Sequence, residues 1–229
     1  MQPGRSILVC FALAGGAALS GCGASRFTVV ANLPAPMVSA MPLSVALRLP
    51  KTFAEYVQKD ELNQSKLTIE LGVAQASAFR KVTAAMFQHT LLLGDAAPDD
   101  AAQMAAQNVR ALLEYKVDSY IYLQPTSGGS EFYSATIGYQ LDLRTPDGQI
   151  LGSWIYEGYG SVPARGNSLK EGITRATALA IRDACANIAV HLPQQEIIQN
   201  LLTPTAAATT TTTTTTTTTI TTTTGTPAP

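Results

Sequence analysis

The sequence predicts an α+β domain: a single, mostly antiparallel sheet of about four or five strands, with two long helices packed on one face, and a disordered C-terminal tail. Three observations lead there. A strictly alternating stretch, Glu131 to Arg144, is followed by a hairpin turn. Two longer stretches carry apolar residues at helical spacing. Past residue 203 the composition collapses to threonine.

Residues 23–41 contain Pro34 and Pro36 and read as an irregular tether. Leu43 to Leu49 alternates, with Leu43, Val45, Leu47 and Leu49 on one side, and predicts a first strand. Lys66 to Leu71 alternates in the same way, and Thr52 to Ser65 between them has room for a short helical turn. Ala74 to Leu93 predicts a helix through Ala78, Phe79, Val82, Ala85, Met86 and His89, which recur at steps of three and four and stop before Gly94. Pro98-Asp99-Asp100 opens a brief second helix.

From Val109 the period changes. Lys116, Asp118, Tyr120 and Tyr122 alternate with Val117, Ser119, Ile121 and Leu123, which predicts a central strand. Its start is ambiguous, because Val109 to Leu113 also fits a helix. Tyr133, Ala135, Ile137, Tyr139, Leu141 and Leu143 then form the dry face of the clearest strand, opposite Ser134, Thr136, Gly138, Gln140, Asp142 and Arg144. Thr145-Pro146-Asp147-Gly148 is a turn in which Pro presets φ and Asp-Gly tolerates positive φ. The chain returns through Gln149 to Gly160, with Trp154 on the core or at an edge. Ser168 and Glu171 have capping-box spacing ahead of a last long helix that ends at Pro193, and Gln194 to Leu202 follows as a short amphipathic segment. Eleven threonines from Thr209 to Thr219 cannot bury a core, so residues 204–229 are expected to be disordered. They are either an O-glycosylation target or a neutral expanded repeat.

The N-terminus carries the clearest functional signal. Arg5, the apolar run Ile7 to Leu19 and a small-residue end match a secretory signal, and the run is short of the ~20 residues a membrane span needs. The run Leu19-Ser20-Gly21-Cys22 resembles the lipobox of bacterial lipoproteins. That resemblance implies cleavage before Cys22, a diacylglyceryl group on its thiol, and acylation of the new amino group. Two or three acyl chains give stable attachment where one is marginal. Gly23 stands where an Asp would imply inner-membrane retention, so the resemblance implies the outer membrane, facing the periplasm. The expected organisation is a signal peptide over 1–21, a lipidated tether over 22–41, a globular domain over 42–203, and the tail. The layout carried by Tyr133 to Gly160 and its turn is similar to that of small periplasmic lipoproteins of the YajG-like and transport-auxiliary kinds.

Composition narrows the function. Without residues 1–21 the chain has 14 basic and 16 acidic residues. It shows no run of basic residues for nucleic acid or anionic lipid. Once Cys10 is removed and Cys22 modified, Cys185 is left alone, without a disulfide partner. It reads as a small buried apolar residue, because His191 is six residues away and off its helical face. His89 and His191 have no second ligand at metal spacing, and no His-Glu-x-x-His, Cys-x-x-Cys, G-x-G-x-x-G or G-x-S-x-G pattern occurs. Asp99-Asp100 and Asp60-Glu61 read as helix starts and solvated loops. The tyrosines read mainly as core, with Tyr120 and Tyr122 as the candidate contact surface.

The expectation is therefore a non-enzymatic envelope lipoprotein without cofactor or metal. It would be held to the membrane by acyl chains on Cys22 and would scaffold an envelope protein complex. The alternative is a periplasmic binding module for a lipid or glycan, with its ligand in a cleft between sheet and helices.

Overall fold

The computed structural model describes residues 25–32, 34, 36–62, 65–126 and 129–203. The expected signal peptide, Cys22 and the Thr-rich tail lie outside these residues. The strongest expectation, the alternating hairpin, is met. Strand β7 (Phe132–Arg144) pairs antiparallel with β8 (Ile150–Pro163) across the expected turn. Ala135, Ile137, Tyr139, Leu141 and Leu143 are all buried. In the turn, Gly148 takes φ +95° and its N–H donates to the Thr145 carbonyl, the backbone that the Asp-Gly pair tolerates.

Two sheets form where one was expected. The larger has the order β5-β2-β6-β7-β8, with β2 at Met41–Arg48, β5 at Phe87–Leu93 and β6 at Ala111–Leu123. It is mixed and not mostly antiparallel, because β5 and β6 both run parallel to β2. The smaller has the order β1-β4-β3, from Ser25–Thr28, Ser65–Glu70 and Val57–Leu62. Its Phe27, Leu67 and Ile69 enter the same core as the larger sheet. The expected tether is therefore ordered at its start, with β1 running parallel to β4.

The helices differ in the same way. Helix α1 (Lys51–Ala54) is the short turn expected between the early strands. Helix α2 (Gly72–Met86) stops seven residues short of the expected Leu93. Phe87 turns to an extended conformation and β5 begins. A Leu91-Leu92-Leu93 run satisfies a helical and a strand pattern alike, and the free edge of β2 supplies the hydrogen-bond partners that decide the outcome. Helix α3 (Asp100–Ala106) lies where a brief helix was expected, and helix α5 (Glu196–Leu202) forms within the expected amphipathic segment. Helix α4 (Leu169–His191) has the full capping box, Ser168 and Glu171 each capping the other's backbone N–H.

Helices α2 and α4 cover one face of the large sheet. The space between is filled by Phe53, Phe79, Tyr115 and Tyr139, whose rings meet edge-on or tilted with centroids 4.5–6.3 Å apart. Gln75 is buried among them, donating to the Phe53 carbonyl and accepting from the Tyr139 hydroxyl. Helix α4 sits unusually close on β8. A Cβ on Gly160 would lie 2.0 Å from the Ala176 carbonyl oxygen, and one on Gly158 2.1 Å from that of Ala180. The helix also closes the outer edge of β8. Asp183 accepts from the Tyr159 N–H, and the Asn187 amide donates to the Glu157 carbonyl, which blunts an edge that could otherwise pair with another chain.

On the opposite face of the sheet, α3 covers only one end. Met104 packs there on Ala46, Leu93, Val109 and Leu112, and Arg48 pairs with Asp100 at 2.5 Å. The rest of that face, across the second half of β6 and along β7 and β8, is uncovered.

Candidate functional surfaces

The open sheet face owes its character to a β-bulge. Val117 lies opposite Tyr139 and Ser119 opposite Gly138, so Asp118 is the extra residue in β6. A bulge reverses which side chains face inward beyond it. Before the bulge Leu113 and Tyr115 face the helices; after it Tyr120 and Tyr122 do. Gly138 makes room for it, since a Cβ there would meet the Ser119 hydroxyl at 2.6 Å.

This corrects the reading of Tyr120. Its hydroxyl hydrogen-bonds Thr177 of α4 at 2.7 Å, and its side chain is buried; burial pushes the phenol well above its ordinary range. Tyr122 is half-buried and donates to Asp60 of β3 at 2.9 Å. Burial, and then the Asp60 hydrogen bond and charge, raise its phenol to about 12. Both tie the sheets and α4 together, and neither forms an outward surface. Tyr115 and Tyr139 are wholly buried, as a core reading requires.

In their place the bulge turns Ile121 and Leu123 outward, 60% and 61% exposed. Ile121 lies beside Thr136, which lies beside Tyr159; Leu123 lies beside Ser134. Tyr159 is exposed and hydrogen-bonds Ser134 across the strands. Phe132 and Ile155 extend the exposed apolar area along the same face. Singly exposed apolar residues are ordinary, whereas a grouped set on one uncovered face marks an interaction surface.

The other end of this face is polar. Asp142 is 2% exposed and accepts from Lys116 at 2.8 Å, Ser153 at 2.7 Å and Gln140 at 2.8 Å. Burial alone would raise its carboxyl, but the hydrogen bonds and the Lys116 charge win and hold it at about 2. Arg144 adds a longer contact at 3.4 Å and pairs with Glu114. This is a structural ion-pair network, with no second unpaired carboxyl facing Asp142 for acid–base work.

Residues with chemical potential are dispersed. Cys185 is buried in α4, and burial raises its thiol to about 12. His89 lies on β5 and His191 at the end of α4, both exposed. Asp99 and Asp100 flank the start of α3, and Asp100 pairs with Arg48. Gly158 and Gly160 serve the approach of α4. Among the described residues no group of His, Cys, Asp and Glu could hold a metal ion, and no helix is long and apolar enough to cross a membrane. Phe53, Phe79, Tyr115 and Tyr139 fill the space beneath the helices, and depressions lined by both β8 and α4 open at the surface.

The sequence reading passed over one cluster altogether. Arg175 and Arg182 of α4 line a surface cavity of about 440 Å³ beneath Thr28 to Asn32. Lys81 of α2 and Arg182 line the next depression. These cations are far apart in sequence, so no local charge run announces them.

No protein-family model matches the chain, and no curated protein matches it in sequence. Among solved structures, the PelC dodecamer from Paraburkholderia phytofirmans is 17% identical, with 69% of this chain and 92% of that chain covered and a TM-score of 0.34. A neuraminyllactose-binding hemagglutinin homolog from Helicobacter pylori is 11% identical over 76% and 96%, with a TM-score of 0.40. Lipoprotein GNA1162 from Neisseria meningitidis is 14% identical over 64% and 99%, with a TM-score of 0.30. Likeness at this level assigns the chain neither a family nor a role.

Proposed function

We propose that the chain is a lipid-anchored, non-enzymatic accessory protein of a bacterial envelope that scaffolds a protein complex through the open face of its five-stranded sheet. The anchor reading rests on Leu19-Ser20-Gly21-Cys22, and the outer-membrane placement on Gly23 after it. One structural observation carries the scaffold reading: the bulge at Asp118 turns Ile121 and Leu123 out beside Tyr159 and Phe132 on a face that α3 leaves bare. Single exposed apolar residues occur elsewhere on the surface, whereas a group gathered on one bare sheet face is left uncovered where a partner supplies the cover. The residues best equipped for covalent or acid–base chemistry are meanwhile tied up in packing or set far apart.

The test is site-specific photo-crosslinking in cells of the source bacterium, with the crosslinker at Leu123 and, as control, at the exposed Val73 of α2. The reading expects one reproducible envelope partner at Leu123, absent from Val73 and lost with Ile121→Asp. Failure to capture a partner at Leu123, or the same products from both positions, would overturn it.

A further inference from the structure

The chain enters the described fold at Ser25, only three residues after Cys22. Three residues span at most ~11 Å. If Cys22 is acylated, as proposed above, the domain therefore rests directly on the bilayer, with no long tether between. Beyond β1 the chain runs along the outer side of α4, where Thr28 and Asn32 wall the cavity with Arg175 and Arg182, and Val30 and Leu179 add apolar surface. Val30 is 79% exposed and Leu179 39%.

The charges of the molecule are segregated around this face. Helices α2 and α4 carry five basic residues against two acidic ones, whereas the rest of the described chain carries nine against fourteen. Both acids of the helical layer are engaged with backbone. Glu171 accepts from Ser168 at the helix cap, and Asp183 accepts from Tyr159. Among the described residues Arg182 forms no ion pair, Arg175 reaches only the Asn167 side-chain oxygen at 2.8 Å, and no carboxylate lines the cavity. Two arginines that form no ion pair, hydroxyl and amide groups around them and apolar side chains at the rim match the chemistry of a lipid phosphate at a membrane interface.

We infer that the Arg175–Arg182 cavity holds an anionic lipid headgroup and seats the helical layer on the bilayer to which Cys22 is attached. The sheet face with Ile121 and Leu123 then points away from the membrane, toward a partner. The orientation rests on the anchor reading; the headgroup site does not.

Vesicle flotation tests the site without the anchor. The probe is residues 22–229 with Cys22→Ser, which contains every described element, mixed with vesicles of phosphatidylcholine alone or of phosphatidylcholine with phosphatidylglycerol. Binding is expected only to the mixed vesicles and is expected to fall as salt rises. Arg175→Gln with Arg182→Gln should lower it about 30-fold. Arg110→Gln, an exposed arginine just before β6, should leave it unchanged. Equal loss from Arg110→Gln would show unspecific charge attraction and overturn the proposal. So would capture of inorganic phosphate by the two arginines without vesicle binding, or equal binding to both vesicle types. Acylation is read separately, from the mass of the mature N-terminus, so either reading can fail alone.

Discussion

Asp142→Asn isolates the buried ion pair on the open face. In the folded chain the carboxyl is held at about 2, against an ordinary value of 3.8. That difference makes ionised Asp142 worth about 2 kcal/mol of folding stability. Lys116, its main partner, is 44% exposed, so solvent screens the pair and the cost stays below that of breaking a fully buried one. The sign follows from the direction. A carboxyl depressed in the folded state contributes fully above its unfolded value, and the contribution is lost as pH falls from about 5 through about 2. The variant should therefore lose about 2 kcal/mol at pH 7 and much less near pH 2, where the native carboxyl is itself about half protonated. Urea unfolding of both proteins at the two pH values reads this as a gap in midpoints that closes on acidification. An equal gap at both values, or none at pH 7, would refute the assignment of Asp142 as the network's anchor.

Three further outcomes follow from the packing. Gly160→Val should cost at least about 3 kcal/mol in thermal or urea unfolding, because the added Cβ lands on the Ala176 carbonyl and lifts α4; Gly94→Ala, which meets nothing within 4 Å, should be nearly neutral, and similar losses from the two would contradict the close seating of α4. Gln75→Ala strands the Tyr139 hydroxyl in the core and leaves the Phe53 carbonyl only its longer bond from the Tyr56 N–H, at about 1–3 kcal/mol. Tyr139→Phe added to Gln75→Ala should then cost almost nothing more, and an additive double variant would deny the coupling. Cys185, with its thiol raised to about 12 by burial, should resist maleimide at pH 8 until the chain unfolds; labelling of the native protein would show an accessible, activated thiol.

The sequence was most informative where its period met one clear environment. Tyr133 to Leu143 alternates against solvent on one side and two helices on the other, so strand and turn were both legible. Ser168 and Glu171 announced α4 by local chemistry that needs no tertiary partner. Legibility ended where distant partners decide the local structure. Phe87 to Leu93 fits a helix by spacing and becomes β5 because β2 has a free edge. Ser25 to Thr28 is a short segment ahead of the prolines Pro34 and Pro36 and is ordered by pairing with β4. Tyr120 misled for a definite reason, since one extra residue at Asp118 inverts the pattern beyond it and no alternation rule marks where a bulge falls. The same inversion hid the exposed pair Ile121 and Leu123. Arg175 and Arg182 carried no signal in the sequence, because the cavity they line is closed by residues about 150 positions earlier in the chain.

The central claim is that acyl chains on Cys22 hold this domain to a membrane. Intact-mass and peptide mass spectrometry of the mature protein, purified in detergent from the source bacterium, test it most directly. The account predicts a chain that begins at Cys22 and carries a thioether-linked diacylglyceryl group. Cys22→Ser should carry no lipid mass. A mature N-terminus elsewhere, or a Cys22 with a free thiol, would contradict it.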